Sequence, residues 1–270
     1  FKKGEFKLSN TKLKIFALVI MFIDHVGQFL PNTPEWFNWI GRIVAPIFIY
    51  FVVVGVKHTS NKKKYLIRLY VFSLFMAIIN MSLNQIFDET NVYIWNNFFS
   101  SLFLVALVIV LLEHFKVKYL LLLSFWQIIS FIICVLIVEW YQILELNYLE
   151  GTYYFWGSIF ANIIFVEGSY LGVVIGLIFY ISRFEKLRLI IFYSGFILLF
   201  YLISIRLISN IGPISQTYFF PFSNYQWMMF FALPFLLLYN GERGQGLKYL
   251  FYIFYPLHLI IIFLIAQYMI

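Results

Sequence analysis

Residues 119–138, YLLLLSFWQIISFIICVLIV, contain no charged side chain. About 20 such residues are what an α-helix needs to cross the hydrocarbon core of a bilayer. In that setting every backbone N–H and C=O must be satisfied within the protein, so helices or a closed barrel are the available solutions. Several more apolar runs of similar length occur, and they lack the strict alternation that a barrel strand would show. Overall the chain is 63% hydrophobic and 11% charged, against roughly 25% charged in soluble domains. The expected fold class is an all-α integral membrane protein. It is a polytopic bundle of 9–10 transmembrane helices, forming a single domain over residues 1–270.

The loops set the orientation. Lysines crowd residues 1–12, VKHTSNKKKYLIR (56–68) and HFKVK (114–118), whereas the loops near Glu35, Asp88-Glu89 and Glu150 are acidic. That alternation places the N-terminus in the cytoplasm, because basic loops stay inside. The expected spans are 13–30, 40–55, 65–86, 97–113, 119–142, a crossing within 153–182, 189–207, 226–239 and 248–268. The piece YYFWGSIFANIIF (153–165) is too short to span comfortably and reads as a re-entrant or surface-lying helix. The net charge of +7 is accounted for by these loops and implies no nucleic-acid partner. Cys134 is the single cysteine, which excludes an internal disulfide or a cysteine metal cluster. The four histidines are scattered and no metal is expected. Heavy use of Phe, Ile, Tyr, Asn and Lys suits an AT-rich bacterial genome, hence a bacterial cytoplasmic membrane.

Ionisable groups within apolar runs are costly and mark sites. Lys14 and His25 stand eleven residues apart, close to three helical turns, so they share a face about 16 Å apart along the axis. Asp24 is rotated about 100° from that face and is read as a supporting partner. Arg42 enters the second span at a depth similar to His25. Pro46 frees the Arg42 carbonyl and is expected to kink that helix. In the last span Pro256 precedes His258. Each residue has an ordinary alternative: lysine snorkelling, a hydrogen-bonded packing histidine, an interfacial arginine, a histidine satisfying a freed carbonyl. The functional reading takes a buried histidine as general base and an arginine holding an anion or developing oxyanion. Lys14, Arg243 and Lys248 would then form a cytosolic basic rim for a phosphorylated donor.

The segments LKIFALVIMFIDHVG (13–27), GRIVAPIFIYFVVVGVKHT (41–59), LPFLLLYNGERG (233–244) and KYLFYIFYPLHL (248–259) resemble the TraX family of membrane acetyltransferases. Its named member is associated with N-acetylation of conjugative pilin. That family is similar in turn to multi-pass acyltransferases carrying Arg or Lys, ten residues, then His, the spacing of Lys14 and His25. The resemblance implies acetyl-CoA as donor and an acceptor amine or hydroxyl at the outer side, on a glycan, peptide or pilin. His25, Arg42 and His258 would be catalytic. Lys14, Arg42, Arg243 and Lys248 would bind the donor, with Asp24, Tyr255 and Asn240 supporting. The aromatic segments 153–160 and 217–227 are candidate walls of an acceptor groove. Rival readings are a permease with a polar substrate path, which the absence of an internal repeat disfavours, and a non-catalytic membrane assembly factor.

Overall fold

The computed structural model describes residues 7–87, 92–113, 117–143, 149–209, 225–245 and 247–269. The expected acidic loop Asp88-Glu89, His114 and the aromatic stretch 217–224 lie outside the described residues. So do the arm before Lys7, Gly246 and the side chain of Lys248. Among the described residues all regular structure is helical, apart from one isolated parallel bridge between Leu8 and Tyr239. The helices are α1 (Asn10–Phe29), α2 (Trp36–Gly41), α3 (Val44–His58), α4 (Lys62–Ile86), α5 (Phe98–Glu113), α6 (Val117–Ile143), α7 (Leu149–Phe160), α8 (Ser169–Ile181), α9 (Lys186–Ser209), α10 (Ala232–Leu237) and α11 (Lys248–Met269), with a 3-10 segment Tyr225–Phe231 before α10.

Five stretches are long and apolar enough to cross a membrane: Trp36–His58, Lys62–Ile86, Val117–Ile143, Lys186–Ser204 and Tyr249–Met269. With α1, which carries Lys12, Lys14 and Asp24, they account for six of the expected spans. Two others, α5 and α8, are apolar but only 16 and 13 residues long. The expected span 226–239 is a 3-10 segment followed by a six-residue helix. Pro234 at its centre lacks the amide that an uninterrupted α-helix would use. The expected kink at Pro46 is instead a break. α2 stops at Gly41, the amides of Arg42 and Ile43 bond three residues back at 3.3 and 3.1 Å, and α3 restarts at Val44. Pro46 then falls in the first turn of α3, where a missing N–H costs nothing.

The fold divides into two compact units, residues 1–51 with 178–262, and residues 52–177 with 263–270. The first is centred on Leu13, Ala17, Ile47, Tyr193 and Leu259, all fully buried. The Tyr193 hydroxyl donates to the Met229 carbonyl at 2.7 Å, fixing α9 to the 3-10 segment. The core of the second unit holds Met76, Ile94, Leu104, Ile109 and Cys134. At its edge Lys62 pairs with Glu113. On α6 the buried residues are Ser130, Cys134 and Val138, one stripe at i, i+4, i+8. Leu121, Phe125, Ile128 and Leu136 are more than 60% exposed. Apolar exposure on that scale fits a lipid-facing helix, and the protein is accordingly a multi-pass membrane protein.

The short helix α7 covers only the first part of the 153–165 piece. It ends at Phe160, and residues 161–168 are non-helical. That backbone lies level with the middle of α6. Gln127 Nε2 donates to the Ala161 carbonyl (3.0 Å), Gln127 Oε1 accepts from the Ile163 amide (2.7 Å), and Asn162 Nδ2 donates to Ser130 Oγ (2.8 Å). Trp126 Nε1 and the Tyr70 hydroxyl take the carbonyls of Phe160 and Ile159. Gly157 permits the return, since a Cβ there would meet the Phe165 carbonyl at 2.1 Å. Buried non-helical backbone survives where protein satisfies it, and α6 and α4 do so here. The aromatics of this segment are mostly spent on packing: Tyr153 stacks on Phe165 at 4.9 Å and Trp156 on Phe160 at 5.6 Å. Gln127→Leu would strand two backbone groups, and each buried unsatisfied group costs ~1–3 kcal/mol. A clear drop in the unfolding midpoint of the purified protein is expected; an unchanged midpoint would show that 161–168 is held by other means.

Candidate functional site

Helix α1 is nucleated by Ser9, whose hydroxyl accepts from the Lys12 amide, as an N-cap should. Its first turn is clasped by the turn between α10 and α11. Leu8 and Asn10 donate to the carbonyls of Leu238 and Glu242, both at 2.9 Å. Asn240 donates back to Leu8, and the Thr11 hydroxyl lies 3.0 and 2.6 Å from the carbonyls of Arg243 and Gln245. Beyond the clasp, α1 and α11 run side by side in the same direction: Lys14 meets Phe251 near one end, and His25 meets His258 deeper in. Pro256 leaves α11 continuous.

The two histidines, 4% exposed each, form the centre. His25 Nδ1 and His258 Nε2 are 2.7 Å apart, and His258 Nδ1 is 2.6 Å from the Phe254 carbonyl. A carbonyl can only accept, so His258 Nδ1 carries the proton and its Nε2, in the neutral ring, is an acceptor. His25 must then donate from Nδ1, which leaves the lone pair on His25 Nε2 as the open end of the chain. Phe254 stacks on His258 at 4.7 Å, and Tyr255 stands edge-on to both imidazoles, at 6.3 and 5.8 Å. Both rings are thus locked in orientation. The arrangement is a hydrogen-bonded histidine pair whose tautomers follow from the Phe254 carbonyl, with a lone pair left on His25 Nε2.

Asp24, off the Lys14–His25 face, does pair with Arg42: Arg42 Nη2 lies 3.4 Å from Asp24 Oδ1. The break between α2 and α3 lets the guanidinium turn back, with Nε donating to the Asn38 carbonyl (3.2 Å) and Nη1 to Gln226 Oε1 (3.0 Å). The Tyr225 ring lies under it at 5.3 Å. Gly41 is needed for this approach, because a Cβ there would sit 2.1 Å from Asp24 Oδ1. Lys14 lies between the rings of Phe51 and Phe251, at 5.1 and 5.4 Å. Among the described residues no carboxylate pairs with it, and the Arg243 guanidinium is close enough to repel it. Lys248 is the first residue of α11.

Asn240 is not part of this constellation. Its side chain braces the turn, with Nδ2 to Glu242 Oε2 at 2.8 Å and Oδ1 accepting from the Glu242 amide at 2.9 Å. The structure adds Phe22, Phe254, Gln226 and Tyr225 to the expected residues. Phe254 stands four positions before His258, a helical-neighbour spacing that could have found it, whereas Phe22 lies 6.4 Å from the His258 ring across two helices and had no such signal. Gln226 had no signal, since it lies 184 residues from Arg42. Among the described residues no cluster of His, Cys, Asp or Glu could hold a metal ion.

A family model described as TraX protein matches residues 9–266, from the cap of α1 to the last turns of α11 and through both units. The chain belongs to the TraX family. Both members of the histidine pair fall inside the match, as do Lys14, Asp24 and Arg42. Among curated proteins, the "Probable fimbrial assembly protein FimC, serogroup H1" of Dichelobacter nodosus is 31% identical over 70 residues, which is 24% of this chain and 29% of that protein. The chain therefore spans less than a third of the length of this relative. No solved structure matches this TraX-family chain significantly.

Proposed function

We propose that this TraX-family protein is a membrane acetyltransferase that moves an acetyl group from cytosolic acetyl-CoA to an acceptor amine or hydroxyl at the outer side of the membrane. The observation that carries the proposal is the buried His25–His258 relay, which ends in an unprotonated nitrogen. In the reaction the acceptor nitrogen or oxygen attacks the thioester carbonyl carbon, and His25 Nε2 takes its proton. The C–S bond then breaks, and the coenzyme A thiolate recovers that proton from His25. One C–N or C–O bond forms, one C–S bond is lost, and the histidine returns to its starting state. His258 holds the tautomer and shares the transient positive charge. Arg42, fixed by Asp24 and Gln226, orients the thioester oxygen and stabilises the oxyanion.

Lys14 and Arg243 supply the anion site for the coenzyme A phosphates, with α1 entering from the cytoplasm. The rise along α1 from Lys14 to His25, about 16 Å, is comparable to an extended pantetheine arm. The family, together with the fimbrial name of the D. nodosus relative, favours a pilin-type acceptor. That same name supports a second reading, a non-catalytic assembly factor, in which coenzyme A has no role. The two separate in a thermal-shift titration of purified protein in nanodiscs. Coenzyme A is expected to raise the midpoint saturably, and Lys14→Ala to weaken its binding about tenfold. No shift with either coenzyme A or acetyl-CoA would remove the donor assignment and leave the assembly reading.

A further inference from the structure

The two rings of the His25–His258 pair have unlike surroundings. Once His25 Nε2 has taken a proton, His25 carries hydrogen on both nitrogens and faces the bare Nε2 of His258 across 2.7 Å. Passing the Nδ1 proton over that bond makes His258 the imidazolium and leaves His25 neutral, with its hydrogen on Nε2. Only a proton moves. The ring on which the charge rests is therefore set by what stands around each imidazole.

His258 is the better place for it. Its Nδ1–H already points at the Phe254 carbonyl, 2.6 Å away, and the Tyr255 carbonyl also acts on that ring. A hydrogen bond strengthens when its donor becomes ionised. The Phe254 ring lies against the His258 imidazole, with centroids 4.7 Å apart and planes 19° from parallel. The face of an aromatic ring attracts a cation within about 6 Å, so the stack that orients neutral His258 holds charged His258 more tightly. Tyr255 does not tell the two histidines apart, since it stands 6.3 Å from His25 at 68° and 5.8 Å from His258 at 66°. Arg42 does. Paired with Asp24 at 3.4 Å, its guanidinium is still close enough to His25 to repel a positive charge there.

We propose that the positive charge created by proton abstraction comes to rest on His258, and that Phe254 is a positioning residue whose ring face holds it there. The inference rests on the acetyl-transfer reading only for the identity of the proton donor. The bonds balance. The acceptor's N–H or O–H breaks as His25 Nε2–H forms, and His25 Nδ1–H breaks as His258 Nε2–H forms. When the thiolate leaves, it takes the Nε2 proton of His25, and in the same movement His258 returns its Nε2 proton to His25 Nδ1. Both rings then stand as they began. His25 is the contact with the reacting atoms, and His258 with Phe254 is where the charge waits.

The test uses the whole chain in nanodiscs, with phenylalanines carrying one, two or three ring fluorines incorporated at position 254. Fluorine drains the negative face of the ring step by step and changes its size little. The kcat for acetyl transfer is expected to fall with each fluorine, to about a tenth with three, while the coenzyme A thermal shift stays constant. Phe254→Leu should fall as far. A flat fluorine series, the result that packing alone would give, overturns the proposal. A second measurement does not need the reaction. Nitrogen-15 spectra of histidine-labelled protein, with His58→Gln and His114→Gln leaving only the pair, show which ring carries hydrogen on both nitrogens as the pH is lowered. That ring is expected to be His258, and trifluorination at position 254 is expected to shrink its signal. The doubly protonated signal on His25, or on neither ring, overturns the proposal. If the unmodified protein transfers no acetyl group while the spectra put the charge on His258, the acetyl-transfer reading falls and the charge assignment stands.

Discussion

His25→Ala is expected to remove acetyl transfer to background, a loss of about 10²–10⁴-fold in kcat, the range that general-base catalysis supplies. The loss should sit in kcat, since coenzyme A binding is assigned to Lys14 and Arg243 at the far end of α1. His258→Phe should cost less, because it removes the group that fixes the tautomer and shares the charge while leaving the His25 lone pair in place. The order of the two variants is the informative result. Should His258→Phe prove the more damaging, His258 would be the base and His25 its support. Full activity in His25→Ala would end the proposal. Activity is read as radiolabelled acetyl incorporation, with coenzyme A thermal shift confirming that each variant is folded and loaded.

Arg42→Met carries the largest expected effect on stability. It leaves the Asp24 carboxylate, 13% exposed, facing apolar surroundings without its counter-charge. Breaking one side of a buried pair typically costs about 3–5 kcal/mol. The 3.4 Å separation and the partial exposure of Arg42 place the expectation at the lower end, near 3 kcal/mol. Adding Asp24→Asn to Arg42→Met should recover most of it, because the second change removes the stranded charge. Denaturant unfolding of the single and double variants reads this directly. If the double variant is as unstable as Arg42→Met alone, Arg42 acts through Asn38, Gln226 and Tyr225, not through Asp24.

Helix periodicity sufficed to predict that Lys14 and His25 share one face of α1 and that Asp24 does not. Both follow from 3.6 residues per turn, and α1 is regular enough for the rule to hold. The Asp24–Arg42 pair was half legible. Its chemistry was plain, but the break at Arg42–Ile43 that turns the guanidinium back depends on where Pro46 falls in its helix. That His25 and His258 share a site was expected from the family resemblance, but their direct contact was not readable, because nothing local links residues 233 apart. Periodicity also failed for 226–239, where an apolar run of suitable length folds as 3-10 and a short helix. In a membrane protein apolarity marks burial or lipid contact, and it does not by itself set the backbone geometry. The piece 153–165 was readable as too short to span; what holds it required Gln127 and Ser130, polar residues within an uncharged apolar run.

The clasp between residues 8–11 and 238–245 bears on biogenesis. During synthesis α1 leaves the ribosome before the other described helices, and α11 leaves it last. At roughly 5–20 residues per second, His25 waits from about ten to fifty seconds for its partner. Until then α1 lies in the membrane with Lys14 and His25 not yet matched, although Arg42 has long since reached Asp24, and only the arrival of the turn before α11 closes the ring of chain. A product cut short before α11 could not assemble the histidine pair, whatever the quality of its remaining fold. The contact between His25 and His258 therefore forms only once α11 has been made.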